Sequence, residues 1–125
     1  MRTTVAIVDD FKLFREALVA MIKTWTDYEV LYVASNGREL LDQLQHSDQI
    51  PNLVLVDLHM PELDGFQTTA CLRNLYPTAR VLIFTISDHE EDRTRALLEG
   101  ARGYLVKGIP LSQIRQAMDD IMRQS

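Results

Sequence analysis

The sequence predicts an α/β domain in which a five-stranded parallel sheet lies between two layers of helices. Three observations predict it. Short runs of Val, Leu and Ile recur without polar alternation, as strands buried on both faces do. Between them lie stretches whose apolar residues repeat at helical spacing. The runs also end in charged or hydroxyl residues just before a loop, where open α/β sheets place their chemistry. Such alternation implies right-handed crossovers and helices on both faces.

The elements follow in order. Residues 4–8 are a first apolar run that ends in Asp9 and Asp10. Phe14, Ala17, Leu18, Met21, Ile22 and Trp25 then recur on one helical face. Residues 29–34 are a second strand. Asn36 is placed to cap the next helix, with Glu39 three residues on and Leu40, Leu41 and Leu44 as its apolar side. Pro51 and Asn52 break that helix and lead into Leu53, Val54, Leu55 and Val56, which end abruptly in Asp57. A loop carrying Met60, Pro61 and Glu62 follows, and Asp64 is a plausible cap for a helix to about Asn74, stopped by Tyr76-Pro77. Residues 81–85 form a fourth buried strand. Ser87 to Glu90 fits a capping box opening a helix to about Glu99, and Gly100 ends it. Residues 103–107 are the fifth strand, and Pro110 lies near the first turn of a last helix with Leu111, Ile114, Met118 and Ile121 as its apolar face.

The totals set bounds. A chain of 125 residues is expected to be one domain, 1–125, burying about two-thirds of its unfolded surface. Its 46% hydrophobic and 25% charged content is ordinary for a soluble globular protein. No apolar run approaches the roughly 20 residues that span a bilayer, and the N-terminus lacks a signal-peptide core. The lone Cys71 fits a reducing, cytoplasmic setting. A net charge of −5 argues against direct nucleic-acid contact by this domain. Because the chain stops as its last helix stops, a further domain is expected to lie beyond it.

In a parallel sheet the carboxyl ends of the strands share one edge. Strand 1 brings Asp9 and Asp10 there, strand 3 Asp57, strand 4 Thr85 and strand 5 Lys107. Strand 2 brings nothing, as befits an edge strand in the flavodoxin-like order 2-1-3-4-5. Each residue alone has a simpler reading: an acidic pair caps a helix, Thr suits a strand end, and a lone Lys is solvated. Together they are harder to dismiss. Gathered carboxylates repel one another, and Mg²⁺, which favours a few carboxylates plus waters and phosphate oxygens, relieves this. An Asp can carry phosphate as an acyl phosphate, with Lys107 and Thr85 contacting the phosphoryl oxygens.

On these residues the sequence resembles the receiver domain of two-component response regulators. The resemblance is carried by Val8-Asp9-Asp10, by Asp57 with residues 60–65, by Thr85, and by Gly103-Tyr104-Leu105-Val106-Lys107, and it covers essentially the whole chain. It implies that Asp57 accepts a phosphoryl group from a sensor histidine kinase and loses it slowly, without the chain being an enzyme proper. It implies that Asp9, Asp10, Asp57 and the backbone carbonyl of His59 bind Mg²⁺. Thr85 and Lys107 would contact the phosphoryl group, and Tyr104 would turn inward as Thr85 moves. The wider pattern looks like receivers that precede a LuxR-type helix-turn-helix domain and control transcription; a stand-alone receiver is the alternative. A homodimer formed on phosphorylation is compatible with it.

Two positions depart from the family pattern. Gly108 stands where many members have Pro, so a trans peptide after Lys107 and unusual dihedrals at Gly108 are expected. Ile86 stands where a small residue is usual, and a bulky side chain there is expected to slow both phosphorylation by small donors and loss of phosphate. His59 is placed near the pocket mouth. His46, His89, Cys71 and the Arg93, Arg95, Arg102 group read as surface or packing residues. An Asp-nucleophile phosphatase of the haloacid-dehalogenase type would want an acid where His59 stands, and a flavodoxin would want a phosphate loop where Asp9 and Asp10 stand.

Overall fold

Five strands and five helices alternate along the chain in the computed structural model, which describes residues 2–124. The strands are β1 (Thr3–Val8), β2 (Tyr28–Ala34), β3 (Leu53–Val56), β4 (Arg80–Thr85) and β5 (Gly103–Val106). The helices are α1 (Lys12–Lys23), α2 (Gly37–Gln45), α3 (Gly65–Leu75), α4 (Glu90–Glu99) and α5 (Leu111–Arg123). The sheet is wholly parallel in the order β2-β1-β3-β4-β5, as the sequence predicts.

Alternate strand residues face opposite sides, so the sheet feeds two cores. On one side Ala6, Val8, Val54, Val56 and Ile83 pack under α2, α3 and α4 through Leu40, Leu44, Phe66, Leu72 and Ala96. On the other, Val5, Ile7, Leu55, Leu82 and Phe84 pack under α1 and α5 through Leu18, Ile22, Ile114, Met118 and Ile121. Each of these larger side chains contributes about 1.5–3 kcal/mol by leaving water. Both faces are covered, which is why the strands read as unbroken apolar runs.

The helix starts depend on local chemistry. Asp64 accepts from the Gln67 amide while the Gln67 side chain accepts from the Asp64 amide, a reciprocal capping box. Asn36 accepts from the Glu39 amide, but the Glu39 carboxylate reaches Ser35 rather than Asn36. The box expected from Ser87 to Glu90 does not form. His89 is the cap residue of α4, with no side-chain cap bond, and Ser87 Oγ instead donates to Asp92 at 2.5 Å and accepts from the His89 amide. Gly100 ends α4 in the left-handed region, as expected.

Two residues assigned to apolar helix faces are outside the cores: Ala17 is exposed, and Leu111 is 61% exposed in the first residue of α5. Helical spacing locates a face but does not say where the sheet beneath it ends.

Candidate functional site

Strand register builds the site. Val8 pairs with Val56, so the next residues, Asp9 and Asp57, leave the sheet side by side. Thr85 pairs with Val106, so Lys107 emerges next to the end of β4. The ladder is extended past the strands by backbone bonds from Asp57 to Val8, Asp9 to Ala34 and Lys107 to Thr85, at 3.0, 3.1 and 2.7 Å. These bonds fix the first atoms of each functional side chain. Gly65, at the start of α3, passes so close beneath that a Cβ there would lie 2.3 Å from the Asp57 carbonyl oxygen. The Gly65 amide donates to the Leu58 carbonyl at 2.9 Å and closes the loop after Asp57.

The side chains converge as the sequence predicts. One carboxylate oxygen each from Asp9, Asp10 and Asp57 lies within 4.8 Å of the others. Lys107 Nζ is 2.9 Å from Asp9 Oδ2 and 3.7 Å from Asp57 Oδ2. Asp9 and Asp57 are buried, Asp10 is exposed, and the Lys107 side chain is 14% exposed. Burial pushes the Asp57 carboxyl above its ordinary range; the Lys107 ammonium opposes this and the Asp9 carboxylate adds to it. The Thr85 hydroxyl also weakly favours the ionised carboxylate. Its contact falls outside hydrogen-bond geometry, however, and Thr85 Oγ1 is buried with no partner among the described residues. An unpartnered buried hydroxyl at the floor of an acidic site is a donor waiting for an acceptor.

Above Asp57 lies a cavity of about 420 Å³, walled by Phe11, Phe14, His59 and Ile86. Ile86 is 74% exposed and forms part of the rim rather than a plug over Asp57. His59 is exposed at the mouth. All described peptide bonds are trans, and Gly108 has φ +103°, both as the sequence predicts. Tyr104 is 6% exposed, with its ring already inward and its hydroxyl donating to the Ser87 carbonyl at 2.9 Å. The Arg93 guanidinium lies 5.8 Å from its ring centre. His46 is exposed, and Cys71 is a half-buried free thiol on α3.

Sequence reasoning missed two contributors. Arg15 donates to the Asp9 backbone carbonyl at 2.7 Å and holds the turn that presents both acids. Phe14 was legible as an apolar helix position, yet its ring faces Lys107 as well as the core.

The donor set suits a hard divalent cation. Three carboxylate oxygens lie close together at an open cavity, and no thiolate or imidazole is among them.

A parallel sheet in this order, with an acidic cluster and a lysine at its strand tips, defines a class: the receiver modules of two-component phosphorelay signalling. Comparison with known proteins agrees. The response regulator receiver domain family matches residues 5–119, and the chain belongs to that family. It is 34% identical over 115 residues to the nitrate/nitrite response regulator NarL of Escherichia coli (strain K12), covering 92% of this chain and 52% of that protein. It is 33% identical over 114 residues to the response regulator GacA of Pseudomonas protegens, covering 91% and 53%. The chain thus spans about half the length of the curated relatives it matches. Among solved structures, the signal receiver domain of the response regulator NarL from Mycobacterium tuberculosis superposes with a TM-score of 0.91 at 29% identity, covering 99% of this chain and 98% of that one.

Proposed function

We propose that Asp57 is the phosphoacceptor of this receiver and that a sensor histidine kinase is its donor. The observation that carries the reading is the convergence on one buried carboxylate of an ammonium, an unpartnered hydroxyl and two further acids. In the transfer, an Asp57 oxygen forms a bond to phosphorus, and the phosphorus–nitrogen bond of the donor phosphohistidine breaks. The electron pair of that bond returns to the imidazole.

Asp9, Asp10, Asp57 and the backbone carbonyl of His59 would hold Mg²⁺. When bound, Mg²⁺ supplies charge neutralisation for the phosphoryl oxygens. Lys107 contributes a positive charge beside Asp57, and the Thr85 hydroxyl would supply a hydrogen bond. Lys107 is held by its backbone bond to Thr85, so its placement needs little reorganisation at the moment of transfer. Hydrolysis of the acyl phosphate is slow, and the chain acts as a switch rather than as a turnover enzyme.

Thr85 and Tyr104 would carry the switch. A phosphoryl group adds charge and strong acceptors, and Thr85 gains a partner only then. That differential contact sets the upper limit on how far the conformational equilibrium shifts. Tyr104 is tied through Ser87 to the loop that follows Thr85, so movement of Thr85 is transmitted to the ring. The reading extends to an output through a LuxR-type helix-turn-helix domain in the cytoplasm, with a homodimer formed on phosphorylation. The transcriptional part is supported by DegU of Brevibacillus brevis, a relative 30% identical over 114 residues that is named a transcriptional regulatory protein. Among the described residues no helix is long and apolar enough to cross a membrane.

The test is Mg²⁺-dependent uptake of beryllofluoride by the wild type and by Asp57→Asn. Uptake by the wild type alone is expected. Equal uptake by both would remove Asp57 from its role.

A further inference from the structure

We propose that Phe14 is a positioning residue for Lys107, holding its ammonium over the acceptor site by a cation–π contact. This rests on the reading of Asp57 as phosphoacceptor. Lys107 Nζ lies 4.1 Å from the centre of the Phe14 ring. The same nitrogen lies 2.9 Å from Asp9 and 3.7 Å from Asp57. The ring is therefore its one uncharged anchor among these three.

The ring is itself held. It packs edge-on against Phe84, centre to centre 5.2 Å at 75°. Phe84 is buried in β4 immediately before Thr85. The negative face of Phe14 is thus turned toward the ammonium while its near-perpendicular contact with Phe84 fixes the ring against the core.

The need for such an anchor follows from the chemistry of the site. Asp9 is Lys107's nearest partner, and Asp9 is also a candidate metal ligand. A carboxylate that takes up a cation loses much of its hold on a neighbouring ammonium. Phe14 has no atom that ligates a hard cation and no charge to be neutralised. It attracts the ammonium whatever the acids are doing. A leucine would fill similar space at this helical position and offer no π face.

The test is a double-mutant cycle on beryllofluoride affinity in the presence of Mg²⁺, read by fluorine NMR of the bound species. Phe14→Leu is expected to weaken binding about three- to tenfold in the wild-type background. In a Lys107→Met background the same substitution is expected to change nothing, because its target is gone. Phe14→Tyr, which keeps the ring, is expected to bind as the wild type does. Phe14→Met serves in place of Leu if thermal unfolding shows that Leu disturbs the fold.

A loss of equal size in both backgrounds would show a merely structural role and overturn the proposal. So would undiminished binding by both Leu and Met variants. A wild type that takes up no beryllofluoride would instead overturn the Asp57 reading, and this proposal with it.

Discussion

Ile86 and Gly65 show how single side chains set the properties of the site. Ile86 lines the cavity over Asp57 yet is mostly exposed, so it narrows the approach without filling it. Ile86→Ala is expected to speed phosphorylation of Asp57 by acetyl phosphate and to speed loss of the phosphate, since both need access to the same atom. Following both rates in the two proteins checks this; unchanged rates would mean that the rim does not limit access. Gly65 has the opposite character. A methyl group there would meet the Asp57 carbonyl oxygen and the Leu58 Cα at 2.3 and 2.6 Å, and both are backbone atoms that cannot turn aside. Gly65→Ala is therefore expected to destabilise the fold by about 2–3 kcal/mol in chemical denaturation, with the slope of the transition unchanged. A loss below about 0.5 kcal/mol, typical of a neutral surface change, would contradict the packing described.

The helix starts carry the predictions at the level of elements. Asn36 accepts from the Glu39 amide at 2.9 Å, and Asn36→Ala is expected to cost about 1 kcal/mol. The Glu39 carboxylate is held below its ordinary range, first by the Ser35 hydroxyl and then by the Ser35 amide. A carboxylate with a lowered folded pKa stabilises the fold above its unfolded pKa. That stabilisation is lost as pH falls from the ordinary glutamate range toward the lower folded value. Glu39 is largely solvated, so the effect is small. Unfolding of Glu39→Gln followed from pH 7 downward is expected to show a shallower acid loss than the wild type; a steeper one would reverse the assignment. Elements were legible where several signals agreed. Asn36 stood before apolar periodicity with a glutamate three residues on, Asp64 stood at the end of the loop before a helix, and both cap as read. Ser87 matched the capping-box pattern but lies two residues past the end of β4. Its hydroxyl bonds Asp92 and its carbonyl serves Tyr104, and His89 is the cap residue of α4 instead. The pattern gives the chemistry of a cap, and the tertiary contacts decide whether the residue is free to perform it.

At the level of the whole molecule, the sheet order was readable from the alternation of strands and helices, which suits the flavodoxin-like order. Strands 1, 3, 4 and 5 each ended in a reactive side chain and strand 2 did not, which agrees with β2 at an edge, although β5 at the other edge carries Lys107. The convergence of Asp9, Asp10, Asp57 and Lys107 then followed from parallel strands in register. What the sequence could not show was distance and direction across the site. That Lys107 bonds Asp9 more closely than Asp57, that Phe14 turns its face to the ammonium, and that Tyr104 already lies inward all depend on packing between residues far apart in the chain. The central claim remains that one buried carboxylate holds phosphate. Its most direct measurement is intact-mass spectrometry after incubation with acetyl phosphate and Mg²⁺, followed by peptide mapping. A single hydroxylamine-labile phosphate on Asp57, lost on chelation of the metal before incubation and absent from Asp57→Asn, is the result predicted. Phosphate on another residue, or uptake that survives Asp57→Asn, would contradict it.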